Sequence, residues 1–148
     1  MSTRAKILAA VAVLGVLVIL LSQGEAPSSR VQALRDDPMA GYAPSGGTLV
    51  DTESRNEGRS LGKPVPATYT RLFRLDADPG RALEEASAAA TAAGWKPLGQ
   101  ATGSTFVGSK SIPSGRAVLT LALVEDGNLL PEGVDPPALS VGLRHLGG

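Results

Sequence analysis

The sequence contains no cysteine, a single histidine and no excess of charge of either sign. Without cysteine the chain has no disulfide, no thiol nucleophile, no thiolate metal site and no lipid-modified cysteine of the bacterial lipoprotein type. Fourteen lysines and arginines balance fourteen aspartates and glutamates. That total is too balanced for a nucleic-acid-binding protein, which needs an excess of basic residues to neutralise phosphates. Because the chain has no disulfides, packing alone must stabilise the fold.

The first feature that is present is an apolar run from Ile7 to Leu21. Its fifteen residues include no polar side chain, and a helix of that length covers about 22 Å of a hydrocarbon core about 30 Å thick. Arg4 and Lys6 precede the run, which favours a cytoplasmic amino terminus and an exported remainder. Residues 7–21 are thus predicted to hold the chain in the cell membrane by a single pass.

The fate of residues 1–24 stays open between a signal anchor and a cleaved signal peptide. Ser22 and Gly24 place small residues at the −3 and −1 positions before Glu25, although this is not an Ala-x-Ala site. An uncleaved anchor, which we favour, leaves an extracytoplasmic domain on the membrane. Cleavage would release a secreted domain.

Residues 25–66 are rich in glycine and proline and poor in large apolar residues, which predicts a flexible linker. One short helix is expected within it, capped by Ser28 or Ser29, with Val31 and Leu34 on one face and Pro38 beyond its end. A sharper alternative is that the segment from Asp37 to Tyr42 docks on a neighbour.

The linker also contains the pattern Gly58-Arg59-Ser60-Leu61-Gly62, which matches the nucleophile elbow of α/β-hydrolases. That elbow requires a buried strand before the serine and a helix after it. Polar residues precede Ser60, and Lys63-Pro64 follows it. We therefore expect no catalysis at Ser60.

Residues 67–148 are predicted to form a small α+β extracytoplasmic domain. Ala67 to Leu75 alternates as a strand, with Phe73 and Leu75 facing the core. A helix follows, with Asp78 as its N-cap, Pro79 at its first position and Gly94 at its end. Its buried face is made mostly of alanine, which permits close approach to a sheet.

Four strands follow the helix. Trp95–Thr102 and Thr105–Ile112 form a hairpin around Gly103-Ser104, and Pro97 marks an edge. Arg116–Val124 is the most apolar strand and is placed centrally, and Ala138–Leu146 is the last strand after a long loop. The order β-α-β-β-β-β predicts a two-layer domain, with one helix packed on a mostly antiparallel sheet. Its small core favours a protein partner or a homo-oligomer.

His145 is expected to be a half-buried or solvent-facing edge histidine, because no second histidine or cysteine supports a ligand or general-base role. Asp76 and Asp78 resemble the start of a calcium loop, but Gly80 occupies the next alternate position.

Two further patterns do not meet the requirements of the sites they resemble. Gly103 to Lys110 is a near miss to a phosphate loop with the wrong glycine and lysine order. Glu84 and Glu85 are adjacent and therefore point in different directions on a helix. The sequence thus predicts no catalytic residue, no cofactor site and no metal site.

Three features together carry a family resemblance: the charged start with its membrane segment, the Asp37–Ala40 motif and the alanine-rich helix ending at Gly94-Trp95. They resemble small, uncharacterised, membrane-anchored or exported proteins of high-GC actinobacteria, and the resemblance implies no activity. We expect a non-enzymatic, membrane-tethered domain that binds a protein or the cell envelope. The alternative is a small-ligand sensor or carrier with a pocket near Trp95 and Phe106. An enzyme that pairs His145 with an acid is a third, less favoured hypothesis.

Overall fold

Strands whose alternate residues are apolar form the framework of the domain. The computed structural model describes residues 26–147, so the predicted membrane segment 7–21 lies outside the described residues. Within residues 26–147, no helix has both the length and the apolar character to cross a membrane. In chain order the elements are α1 (Ser29–Arg35), a 3₁₀ turn (Pro38–Gly41), β1 (Gly47–Arg55), β2 (Gly58–Ser60), β3 (Lys63–Val65), β4 (Thr68–Leu75), α2 (Pro79–Ala92), β5 (Lys96–Pro97), β6 (Thr105–Ile112), β7 (Gly115–Val124), a second 3₁₀ turn (Gly127–Leu129) and β8 (Ala138–His145).

Six of the strands form one antiparallel sheet in the order β1-β4-β8-β7-β6-β5, and β2 pairs with β3 in a separate hairpin. Phe73 lies opposite Leu139, and Leu121 lies opposite both Val141 and Phe106. This register places the large apolar side chains of four strands on one face. The domain is therefore α+β, as predicted, with a helix packed on an antiparallel sheet.

Both helices pack on that apolar face. α1 contacts β4 and β8, and α2 contacts β6, β7 and β8. Val31, Leu34, Ala86 and Ala90 are fully buried at these contacts. The alternate residues of the strands form the opposite face, here called the open face, and many of them are half-buried threonine, serine, valine and alanine side chains.

The termini of α2 agree with the sequence prediction. The Asp78 carboxylate accepts a hydrogen bond from the Gly80 N–H at 3.0 Å, and Pro79 begins the helix. Gly94 has a φ of 92°, in the left-handed region, and the Trp95 N–H returns to the Ala90 carbonyl at 3.0 Å. Glycine accepts that conformation without a Cβ clash, so the helix ends where the sequence indicates.

Ala86→Leu is expected to lower the melting temperature. Ala86 has no exposed surface, so the larger side chain would have to displace packed neighbours, at a cost of about 1–3 kcal/mol. Ala88→Leu is the matched control, because Ala88 is exposed on the same helix. Thermal denaturation followed by circular dichroism would measure both. Equal melting temperatures for the two variants would contradict the close approach of helix and sheet.

The predicted order β-α-β-β-β-β is confirmed over β4-α2-β5-β6-β7-β8. β7 is central as predicted, and Pro97 lies in β5 at one edge of the sheet. β5 keeps only Lys96 and Pro97 of the predicted Trp95–Thr102 strand. The Leu98 N–H still donates to the Val107 carbonyl, and Gly99, with a φ of 73° in the left-handed region, then turns the chain out of the strand.

The prediction of a flexible linker over residues 25–66 is wrong for the part that the structure describes. β1 pairs with β4 from Gly47 to Arg55 and forms the other edge of the sheet. α1 has the predicted cap, since the Ser28 hydroxyl accepts from the Val31 N–H at 3.2 Å. The apolar signal was weak because an edge strand exposed on both faces is held mainly by backbone hydrogen bonds, which place little demand on side chains.

Candidate functional site

Asp37 is the centre of a buried polar cluster that joins the first 3₁₀ turn to the sheet. Its carboxylate accepts three hydrogen bonds, from the Met39 N–H at 2.9 Å, the Trp95 indole N–H at 3.1 Å and the Lys110 ammonium at 2.7 Å. Only 3% of the Asp37 side chain is exposed. All three donors come from this chain, so the cluster fastens the turn to its own sheet. The segment Asp37–Tyr42 thus docks on its own domain, whereas the alternative drawn from the sequence was docking on a neighbour.

A second attachment of the same turn comes from Arg71. Its guanidinium donates to the carbonyls of Ala40 at 2.9 Å and Tyr42 at 3.0 Å, and it lies 4.9 Å from the centre of the Phe73 ring. Burial, and to a lesser degree the negative charge of Glu85, raise the pKa of the Tyr42 hydroxyl. This segment is therefore part of the core structure.

His145 is buried, with 1% of its surface exposed, and the prediction of a half-buried or solvent-facing edge position is wrong. It ends β8, which lies between β4 and β7, and the turn at Ser114 covers it. Its Nδ1 accepts from the Gly147 N–H at 2.9 Å, so its Nε2 carries the proton and faces the Ser114 hydroxyl at 2.9 Å and carbonyl at 3.1 Å. Both ring nitrogens are thus engaged in holding the carboxyl terminus to the turn.

The other rejected motifs occupy structural positions. Ser60 lies in the exposed hairpin strand β2, and residues 103–110 form β6 and the turn before it. Asp76 lies 3.6 Å from Arg74. Across residues 26–147, no three histidine, cysteine, aspartate or glutamate side chains are grouped as a metal site.

The most prominent charged feature is a row of basic residues across the open face. One cross-strand row passes through the directly opposed residues Arg55, Thr68, Arg144, Val118, Ser109 and Lys96. Directly opposed residues point to the same face, and Arg116 lies two residues along β7 from Val118, so it shares that face. We call Arg55, Lys96, Arg116 and Arg144 the basic band. All four are exposed, and the row is about 24 Å long because strands lie about 4.8 Å apart.

A pocket of about 390 Å³ lies at the β5 end of this band, here called the band pocket. Its lining residues are Gly94, Lys96, Ser109, Lys110, Ser111 and Arg116. Ser109 is 7% exposed. The Leu98 N–H donates to the Val107 carbonyl, so the odd-numbered residues of β6 direct their backbone groups towards β5. Ser111 is also odd-numbered and lies beyond the first residue of β5. Its backbone N–H therefore points towards the pocket. Cationic, hydroxyl and N–H donors therefore converge in one place.

Charge is segregated between the two ends of the sheet. The end of the sheet at which β1, β6 and β8 terminate is here called the basic end. It carries the basic band and, in the hairpin between β1 and β4, Arg59 and Lys63 beside a single carboxylate, Glu57. The connections at the opposite end, here called the acidic end, carry Asp76, Asp78, Glu125, Asp126, Glu132 and Asp135. A chain with no net charge thus forms a domain with a strong charge asymmetry.

The chain enters the described domain at the basic end. Asn56, which follows β1, donates from Nδ2 to the Ala26 carbonyl at 3.0 Å and accepts from the Ser28 N–H at 2.8 Å. The Ser28 hydroxyl donates to the Glu57 carboxylate at 2.6 Å. That hydrogen bond, with smaller contributions that include the positive charge of Arg30, lowers the pKa of Glu57. These contacts hold Ala26 beside the last residue of β1.

A ligand pocket near Trp95 and Phe106 is the alternative that the sequence leaves open. These side chains are 1% and 4% exposed within the core. The band pocket and a groove of about 790 Å³ beside Pro27, Arg35 and residues 52–57 are both polar and lie at the surface.

Comparison with protein-family models, curated proteins and solved structures gave no match to this chain.

Proposed function

We propose that this protein is a non-enzymatic, membrane-tethered extracytoplasmic domain that binds an anionic component of the cell envelope. The observation that carries the proposal is the basic band with its adjoining pocket. Four exposed cations on one face of the sheet attract and orient an anionic surface over several ångströms, and arginine forks suit carboxylate and phosphate groups. The apolar run 7–21 supplies the tether, with the amino terminus in the cytoplasm.

The second candidate function is a sensor or carrier for a small anion. The band pocket favours it, because about 390 Å³ is within the usual range for small-ligand sites. Ser109 and Ser111 would supply neutral donors beside Lys96 and Arg116. Lys110 would contribute less charge, since it is paired with Asp37.

The location can be tested with introduced cysteines, because the native chain has none. We expect a membrane-impermeant maleimide to label Leu129→Cys on intact cells and Thr3→Cys only after permeabilisation. The intact mass of protein from the membrane fraction would show whether residues 1–24 remain. Labelling of Leu129→Cys only in permeabilised cells would contradict the proposed topology.

The binding surface can be tested on the full-length protein in a non-ionic detergent, with phosphocellulose as the anionic probe. Arg116→Glu combined with Arg144→Glu should elute at lower salt than the native protein. Arg74→Glu is the matched control for the substitution, since Arg74 is also exposed on the open face but lies at the acidic end. Earlier elution of the control by an equal amount per substitution would mean that net charge, and not the basic band, determines binding.

A further inference from the structure

We propose that the basic end of the domain docks on the anionic headgroups of the membrane that anchors it, with the tip of the β2–β3 hairpin at the bilayer interface. This inference rests on the proposed membrane tether and names the ligand: a phospholipid surface with net negative charge. Three observations support it: the position at which the chain enters the domain, the separation of basic and acidic residues between the two ends of the sheet, and the apolar residue at the hairpin tip.

The entry point determines which end of the domain faces the bilayer. Leu21 ends the apolar run and Ala26 is held at the basic end by Asn56. Five residue steps separate Leu21 from Ala26, and an extended chain of that length reaches at most about 18 Å. A domain on so short a tether presents its basic end to the membrane and its acidic end away from it.

The charges are complementary to such a surface. Attraction to a charged membrane is screened within about 8 Å at physiological salt, so the residues nearest the bilayer dominate. Along β1, the charge changes from Asp51 and Glu53 to Arg55 as the strand approaches the basic end. The basic band and the hairpin cations therefore outnumber Glu57 on the near side, and the acidic connections are on the far side.

The hairpin tip carries an apolar residue where turn chemistry disfavours one. Leu61 and Gly62 have φ values of 51° and 77°, which is the pattern of a two-residue hairpin turn that usually takes asparagine and glycine. A branched residue such as leucine is disfavoured in this left-handed region. Leu61 is also fully exposed, and Arg59 and Lys63 flank it in the hairpin. An apolar tip between two cations suits the boundary between headgroups and acyl chains.

The test uses the full-length protein with Leu61→Cys, labelled with an environment-sensitive dye and reconstituted into vesicles. The absence of native cysteine makes the label unique. In vesicles that contain phosphatidylglycerol and phosphatidylcholine, we expect a blue shift at position 61 that is lost at high salt and is absent in phosphatidylcholine alone. Leu129→Cys is the matched control, because it is an exposed leucine at the acidic end, and its dye should not respond.

A second variant tests the charge contribution. Arg116→Glu combined with Arg144→Glu should abolish the phosphatidylglycerol-dependent shift at position 61, whereas Arg74→Glu should retain it. An equal shift in both lipids would overturn the role of the headgroup charge. If the protein still floats with the vesicles but the dye shows no shift in either lipid, the inference is overturned and the tether stands. The occupant of the basic end would then be a protein or a wall polymer. Failure of the full-length protein to float would contradict the tether itself.

Discussion

Replacing Leu34 with alanine is expected to lower the free energy of unfolding by about 3 kcal/mol. Leu34 has no exposed surface and packs from α1 onto the sheet, so the substitution removes buried apolar atoms and leaves a cavity. A flexible linker would show no such effect, since its side chains would be solvated in both the folded and unfolded states. The result therefore measures whether α1 belongs to the folded domain.

The measurement is urea denaturation of the full-length protein in detergent, followed by tryptophan fluorescence. Trp95 is the single tryptophan and is 1% exposed, so its emission reports the core. Leu61→Ala is the control, because Leu61 is fully exposed and its truncation removes no packing within the domain. A loss of less than about 0.5 kcal/mol for Leu34→Ala would mean that α1 contributes little to stability.

Replacing Asp37 with alanine is expected to have a comparable effect, also about 3 kcal/mol. The substitution leaves the Trp95 indole N–H and the Met39 N–H without their acceptor and separates Lys110 from its counter-ion. The Lys110 side chain is 24% exposed, so part of its charge can be rehydrated, which keeps the loss at the lower end of the range for buried pairs.

Two further variants separate the causes. Asp37→Asn keeps an oxygen that can accept from Met39 and Trp95 but removes the charge, so we expect an intermediate loss of about 1–2 kcal/mol. Asp36→Ala changes an exposed carboxylate whose side-chain partner is Gln32, and we expect a change within about 0.5 kcal/mol. Because Asp37 contacts Trp95, circular dichroism is the better probe for this series. Equal losses for Asp36→Ala and Asp37→Ala would refute the role assigned to the buried cluster.

The two substitutions act on one structural feature, which is the attachment of residues 29–42 to the sheet. α1 attaches through Val31 and Leu34, and the 3₁₀ turn attaches through Asp37 and Arg71. This attachment and the contacts of Asn56 with Ala26 hold the entry point of the chain at the basic end. The proposed orientation on the membrane depends on both sets of contacts, so destabilising α1 should also weaken the lipid-dependent shift at position 61.

The sequence by itself determined the local features whose physical causes lie within a few residues. The N-cap at Asp78, the end of α2 at Gly94, the alternation of β4, β7 and β8, and the apolar run at residues 7–21 are of this kind, and the N-cap of α1 was narrowed to Ser28 or Ser29. Each depends on a short-range rule of capping, backbone conformation or periodicity. From these the α+β class and the order from β4 to β8 followed directly.

Only the tertiary structure decided the features that depend on residues distant in the chain. β1 has little apolar pattern and became recognisable as a strand through its pairing with β4. The sequence predicts His145 as a half-buried or solvent-facing edge histidine, whereas the turn at Ser114 buries it. The basic band combines residues from β1, β5, β7 and β8, so no window of the sequence contains it. Net charge sums over the whole chain and carries no information on position, and for that reason a balanced composition concealed an asymmetric surface.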